Sequence, residues 1–185
     1  MKEPWIQTYS GKQFCYWQCR PEDICIRDIA RALSNICRFT GHCKRFYSVA
    51  QHSVLVSEQA INPFLGLMHD AAEAYVGDMN RPLKSAMPND SPYLRMDAIA
   101  WGAISERWGE LKKATAEEKA DCKQVDLRML VTESHDLLLN GPHKEWSINQ
   151  ETHPRYDFTI SPWHPDEAME RFLYRFQQLT GQWPY

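Results

Sequence analysis

The sequence predicts a single, mostly helical domain. Three observations carry that expectation: 185 residues of which 43% are apolar, apolar positions recurring at helical spacing along most of the chain, and capping patterns where those segments begin. The whole of residues 1–185 reads as one unit, with no repeat, low-complexity tract or linker to divide it. Lys and Arg number 21 against 24 for Asp and Glu, a net charge of −3, which argues against a nonspecific nucleic-acid binder. No 18-residue apolar run is present, so no membrane partner is expected. The opening MKEPWIQTYSGK has Pro and polar residues where a signal peptide needs an apolar core, and the expected residence is cytoplasmic.

The first 22 residues carry Trp5, Ile6, Tyr9, Phe14, Tyr16 and Trp17 among Gly and Pro, and read as an aromatic, hairpin-like arm. Ile26, Ile29, Ala30, Leu33 and Cys37 then follow helical spacing, which predicts a helix near 24–36. A basic, aromatic connection, RFTGHCKRFY, leads to Ser48, which with Gln51 forms a capping box for the next helix. Asn62-Pro63 stops that helix and starts a third, where Phe64, Leu67, Met68, Ala71 and Tyr75 form a core-facing stripe that ends at Gly77. Residues 78–92, with three prolines, read as a loop.

Leu94, Trp101, Ile104 and Trp108 mark a helix near 93–108, and Thr115 with Glu118 caps a long one near 116–138. The segment 140–165 is irregular, with YDFTI readable as a short strand, and a last helix near 166–179 presents Met169, Phe172, Phe176 and Leu179. The six cysteines contain no Cys-x-x-Cys unit and read as reduced thiols. Cys15, Cys19, Cys37 and Cys43 have spacings that match no common zinc knot.

The chemistry concentrates in LGLMHDAAEAYVGD. Asp is rarely buried unless paired or bound to a metal, and here His69-Asp70 lies on a helix that is otherwise apolar and Ala-rich. Glu73 shares that flank, and Asp78 follows the Gly77 terminus. His52 lies three residues after Val49, on or beside the apolar face of the preceding helix, and Asp126 shares a flank with Met129, Leu130 and Glu133. His52, His69, Asp70 and Asp126 together supply two nitrogen and two oxygen donors. That set suits Mn, Co, Ni, Fe or Zn better than Ca. By residue type alone Asp97, Asp121 and His135 remain eligible as the last ligand.

The stretch from Ser34 to Lys84 resembles the HD-domain phosphohydrolases, in the small branch of bacterial 5′-deoxynucleotidases and phage-borne nucleotide phosphohydrolases. YSVAQHSVLVSE resembles the helix carrying that family's isolated His, LMHDAAEAYVGDMNRPLK the helix and loop carrying its His-Asp pair, and KQVDLRMLVTE the helix carrying its last Asp. The likeness covers about residues 22–138 and departs at two points. Only 17 residues separate His52 from His69, and Phe39 stands where Trp occurs in the family.

The resemblance implies a compact all-α HD fold and one divalent metal per subunit on His52, His69, Asp70 and Asp126. It implies Glu73 and Asp78 in the catalytic pocket, and Arg38-Phe39 on the phosphate and deoxyribose. Beside Arg38, the cations Lys44, Arg45, Arg81 and Lys84 stand in reserve for the substrate phosphate, Lys84 among them as a substrate-binding candidate. The expected activity is 5′-deoxynucleotidase action on dNMPs by metal-activated water, in a homo-oligomer. The alternatives are dNTP triphosphohydrolase action releasing triphosphate and, in a different class, a non-catalytic nucleotide-binding or signalling HD protein.

Overall fold

The computed structural model describes residues 3–183. The chain is mostly helical, and among the described residues no helix is long and apolar enough to cross a membrane. The arm is an antiparallel hairpin of β1 (Trp5–Gln7) and β2 (Gln13–Cys15), with Ile6 opposite Phe14. Its aromatics divide between two environments. Phe14 is buried and stacks on Tyr75 with ring centroids 4.0 Å apart, whereas Trp5 and Tyr9 stay half in solvent.

Helix α1 (Ile26–Asn35) buries Ile26, Ile29, Ala30 and Leu33, the stripe read from its spacing. Helix α2 (Val49–Gln59) starts at Ser48, whose hydroxyl accepts from the Gln51 N–H. The reciprocal half of the predicted capping box is not made. The Gln51 amide instead donates to the Ser161 carbonyl at 2.8 Å and accepts from the Trp163 N–H at 2.8 Å, tying the irregular segment to α2.

The helix expected over 63–77 is interrupted. Helix α3 (Pro63–Met68) gives way to a tight turn, and helix α4 (Glu73–Val76) follows before Gly77 at φ +82°. Bonds three residues back, Ala71 N to Met68 O and Glu73 N to Asp70 O, tighten the chain where His69 and Asp70 lie. The loop expected over 78–92 also needs correction, because Asn80 caps a short helix α5 (Arg81–Ala86) through its 3.0 Å bond from Leu83 N. Pro82 falls in the first turn of that helix, where its missing N–H does no harm.

Helices α6 (Pro92–Arg107) and α7 (Ala116–Leu137) follow, the latter with both halves of the Thr115–Glu118 box in place. YDFTI forms no strand. The Tyr156 and Ile160 N–H groups are taken by Thr132 and Asp136 of α7, so this stretch lies along a helix rather than a sheet edge. Helix α8 (Pro165–Thr180) closes the core against α1, α2 and α3 with Ala168, Phe172 and Phe176 buried.

The close approach of α2 and α3 depends on Gly66. A Cβ there would lie 3.0 Å from the Ser57 Cα and 3.1 Å from the Ala60 Cβ. Since α3 leads directly into His69, Gly66→Ala is expected to push the two helices apart and destabilise the fold by about 1–3 kcal/mol. Denaturant unfolding beside metal titration checks this, and metal affinity is expected to fall with stability.

Candidate metal centre and adjoining cavity

Helix α2 presents His52, the tight turn after α3 presents His69 and Asp70, and α7 presents Asp126. The fold brings these four together. His52 Nε2 lies 3.3 Å from His69 Nε2, 3.3 Å from Asp126 Oδ1 and 3.6 Å from Asp70 Oδ2. His69 Nε2 is 3.2 Å from the same Asp70 oxygen. His52, His69 and Asp70 offer donor atoms all within 4.8 Å of one another; Asp126 lies outside that group of three and is linked to it by the 3.3 Å approach of its Oδ1 to His52 Nε2.

The outer nitrogens of both rings are committed. His69 Nδ1 lies 2.8 Å from the Gly66 carbonyl, which only accepts, so this nitrogen carries a proton. His52 Nδ1 meets the Glu133 carboxylate at 2.6 Å. In the neutral rings both Nε2 lone pairs therefore point inward, at each other and at two carboxylates. That arrangement is repulsive unless a cation lies between them, and outer bonds of this kind fix the tautomer that binds metal. The His52, His69 and Asp70 donors could hold a metal ion.

Without a metal, a proton takes part of that role. Burial and the Arg38 charge work against protonation of His52, but Glu133 and Asp126 outweigh them and hold its pKa at about 9. Asp70 is held well below the ordinary carboxylate range. Burial opposes this, and the adjoining His69, His52 and Arg38 overcome it.

Glu133 is the residue that the sequence reading left out of the site. It is fully buried, and one oxygen accepts from both His52 Nδ1 and, at 2.8 Å, the Tyr47 hydroxyl. Its other oxygen receives Arg38 Nε at 3.2 Å and a terminal guanidinium nitrogen at 3.1 Å. The available signal was its place seven residues after Asp126, two turns along the same flank. Glu133→Gln removes the charge that orients His52 and neutralises Arg38. The expected result is a 10- to 100-fold loss of metal affinity with a lower Tm, checked by metal titration and thermal unfolding.

Arg38 is thereby fixed, with its remaining terminal nitrogen turned toward Asp70 at 3.6 Å. The next two residues, Phe39 (φ 54°) and Thr40 (φ 53°), are both left-handed, a conformation costing roughly 1–2 kcal/mol for each L-residue. The hook is held by Arg38 N to Tyr47 O at 2.9 Å and by Asn80 Nδ2 donating to Thr40 Oγ1 at 3.2 Å. Arg38 and Phe39 both line one cavity.

That cavity encloses about 790 Å³. Asp70 and Asp126 line it, as do Arg38, Phe39, Glu73, Asp78 and Lys84, so every sequence-derived substrate or catalytic candidate reaches it. Lys84 does so with its ammonium already 2.8 Å from Asp97, and Arg81 adds an exposed guanidinium 3.7 Å from Asp126. One oxygen of Glu73 is buried without a hydrogen-bond partner. Burial first, then the charges of Asp70 and Asp78, push the Glu73 carboxyl up to about 10. Asp78 is also raised, mainly by burial. The irregular segment after α7 supplies a wall that includes Trp146 and Ile148, which sequence reasoning did not place.

No family model matches the chain. It is 40% identical over 177 residues to the uncharacterized protein YfdR of Escherichia coli (strain K12), covering 95% of each chain. It is 36% identical over 120 residues to the uncharacterized protein RCAP_rcc00048 of Rhodobacter capsulatus, covering 59% of this chain and 60% of that one.

Proposed function

For this chain, which belongs to the family of Escherichia coli YfdR, we propose a metal-dependent phosphohydrolase of the HD-domain type that acts on deoxynucleotides, with 5′-deoxynucleotidase action on dNMPs as its reaction. The observation that carries the reading is the pair of inward-facing imidazoles, their outer nitrogens fixed by Glu133 and Gly66, meeting Asp70 and Asp126 at the edge of a cavity that also holds a buried arginine. His52, His69, Asp70 and Asp126 would hold the metal. A divalent ion there supplies Lewis acidity and lowers the pKa of water to within reach of neutrality.

The protein's own groups divide the remaining work. Arg38, held rigid by Glu133, offers its free N–H groups to a phosphate oxygen. Glu73 keeps its proton at neutral pH and gives it to the departing 5′ oxygen as the P–O bond breaks and the oxygen of water bonds to phosphorus. Phe39 packs on the deoxyribose, and Asp78 accepts a hydrogen bond from its 3′-hydroxyl. The cations favour a monophosphate over a triphosphate, because Lys84 is already matched by Asp97 and Arg81 is exposed to solvent screening.

The test is turnover by metal-reconstituted protein against dNMPs, dNTPs and cyclic nucleotides, with products separated. Nucleoside and inorganic phosphate from dNMPs are expected. Triphosphate released from dNTPs would replace the monophosphate assignment, and nucleotide binding without turnover would leave a non-catalytic HD protein.

A further inference from the structure

The cavity is lined by charged and apolar groups together. Asp126 lies midway along α7, and one helical turn on, about 6 Å along the axis, Leu130 lines the same space. Arg38 and Phe39 line it as well, and the loop after α7 contributes Trp146 and Ile148. Aromatic and aliphatic surface thus accompanies the charged groups in one cavity.

The backbone of Trp146 is held in place. Its main-chain N–H donates to the His143 carbonyl at 3.0 Å, and its main-chain carbonyl accepts from Asn149 Nδ2 at 3.2 Å. The Asn149 side-chain oxygen in turn accepts from the Glu151 and Thr152 N–H groups, so the loop is bonded through its length. Trp17 and Trp163 lie under guanidinium groups and Trp108 against Phe176, but among the described residues no ring or cation is seated on the Trp146 indole. A half-buried indole on a bonded loop that lines a cavity is a stacking surface.

We infer that Trp146 is the platform on which the planar, aromatic part of the substrate stacks, so that the favoured substrate is a phosphate ester carrying an aromatic heterocycle. The inference rests on the proposed phosphohydrolase reading and locates its nucleobase. Stacking accepts any base face, so Trp146 supplies affinity for a base without selecting among bases. Glu145, the residue before it in the chain, also lines the cavity, and its charge disfavours further phosphates near it.

The test is calorimetric titration of the full-length, metal-loaded protein with two probes, inorganic phosphate and deoxyadenosine 5′-phosphonate, whose P–C bond resists hydrolysis. Trp146→Ala is expected to weaken phosphonate binding by roughly 5- to 150-fold, the range of one lost base–aromatic stack, and to leave phosphate binding unchanged. Trp146→Phe is expected to restore most of the loss. Unchanged phosphonate affinity in Trp146→Ala, or equal losses for both probes, would overturn the inference while leaving the phosphohydrolase reading intact. Wild-type protein that binds neither probe would overturn both.

Discussion

Asp70→Asn is expected to remove metal and turnover together. Asp70 lies within 3.6 Å of His52, His69 and Arg38, and its charge is sustained by all three against the pull of burial. Asparagine keeps the shape but loses the anion, so the two imidazoles face a divalent ion with Asp126 as the remaining charged donor. The loss of metal affinity should exceed the roughly 10- to 100-fold that follows removal of an orienting partner such as Glu133. Elemental analysis beside steady-state kinetics measures both quantities, and metal retained at wild-type level would remove Asp70 from the ligand set. Because metal binds the folded chain, added metal should also raise the Tm of wild-type protein more than that of the variant.

Glu73→Gln, three residues further along, should separate what Asp70→Asn loses together. Metal is expected to stay while turnover falls by about 10²–10⁴-fold, the loss expected of a proton donor. The wild-type rate should decline on the alkaline side as Glu73 gives up its proton, and the variant should lack that decline. Stability supplies an independent reading in the metal-free protein. The folded state holds a proton on Glu73 up to about 10, whereas the unfolded chain releases it near the ordinary value of 4.5. Folding therefore binds a proton between those values, and wild-type stability falls as pH rises across that window. Glutamine has no proton to lose, so thermal unfolding of chelator-treated protein should show a flatter pH dependence and a higher Tm at neutral pH in the variant. A pH dependence identical to wild type would show Glu73 ionised in the folded chain.

Most of the helical framework was legible in the sequence, because its signals are local. Ser48, Asn62 and Thr115 each accept a bond from a backbone N–H three residues on, and Phe64, Leu67, Met68, Ala71 and Tyr75 are buried as their spacing requires. Where local signals competed with distant partners, the reading failed. Gln51 suits a capping box but bonds the chain before α8, 110 and 112 residues away. The stripe through 64–75 continues across a break in the helix because tightening to bonds three residues back still leaves Ala71 and Tyr75 inward. In an α-helix the Gly66 carbonyl would accept from the Asp70 N–H; here it accepts from His69 Nδ1 at 2.8 Å.

The sequence by itself singled out His69 and Asp70 as candidate ligands, and the family resemblance added His52 and chose Asp126 where spacing left Asp97, Asp121 and His135 also open. Their convergence was decided by tertiary structure. Gly66 permits the approach of α2 and α3, and α7 lies across both. Tertiary structure also made Glu133 the partner of His52, Tyr47 and Arg38, and carried Trp146 from an irregular segment to the cavity wall. The physical reason is the same in each case. Helical periodicity tells which way a side chain faces on its own helix, whereas the partner of a buried charge is chosen by desolvation, which acts between groups that meet only after the chain has folded.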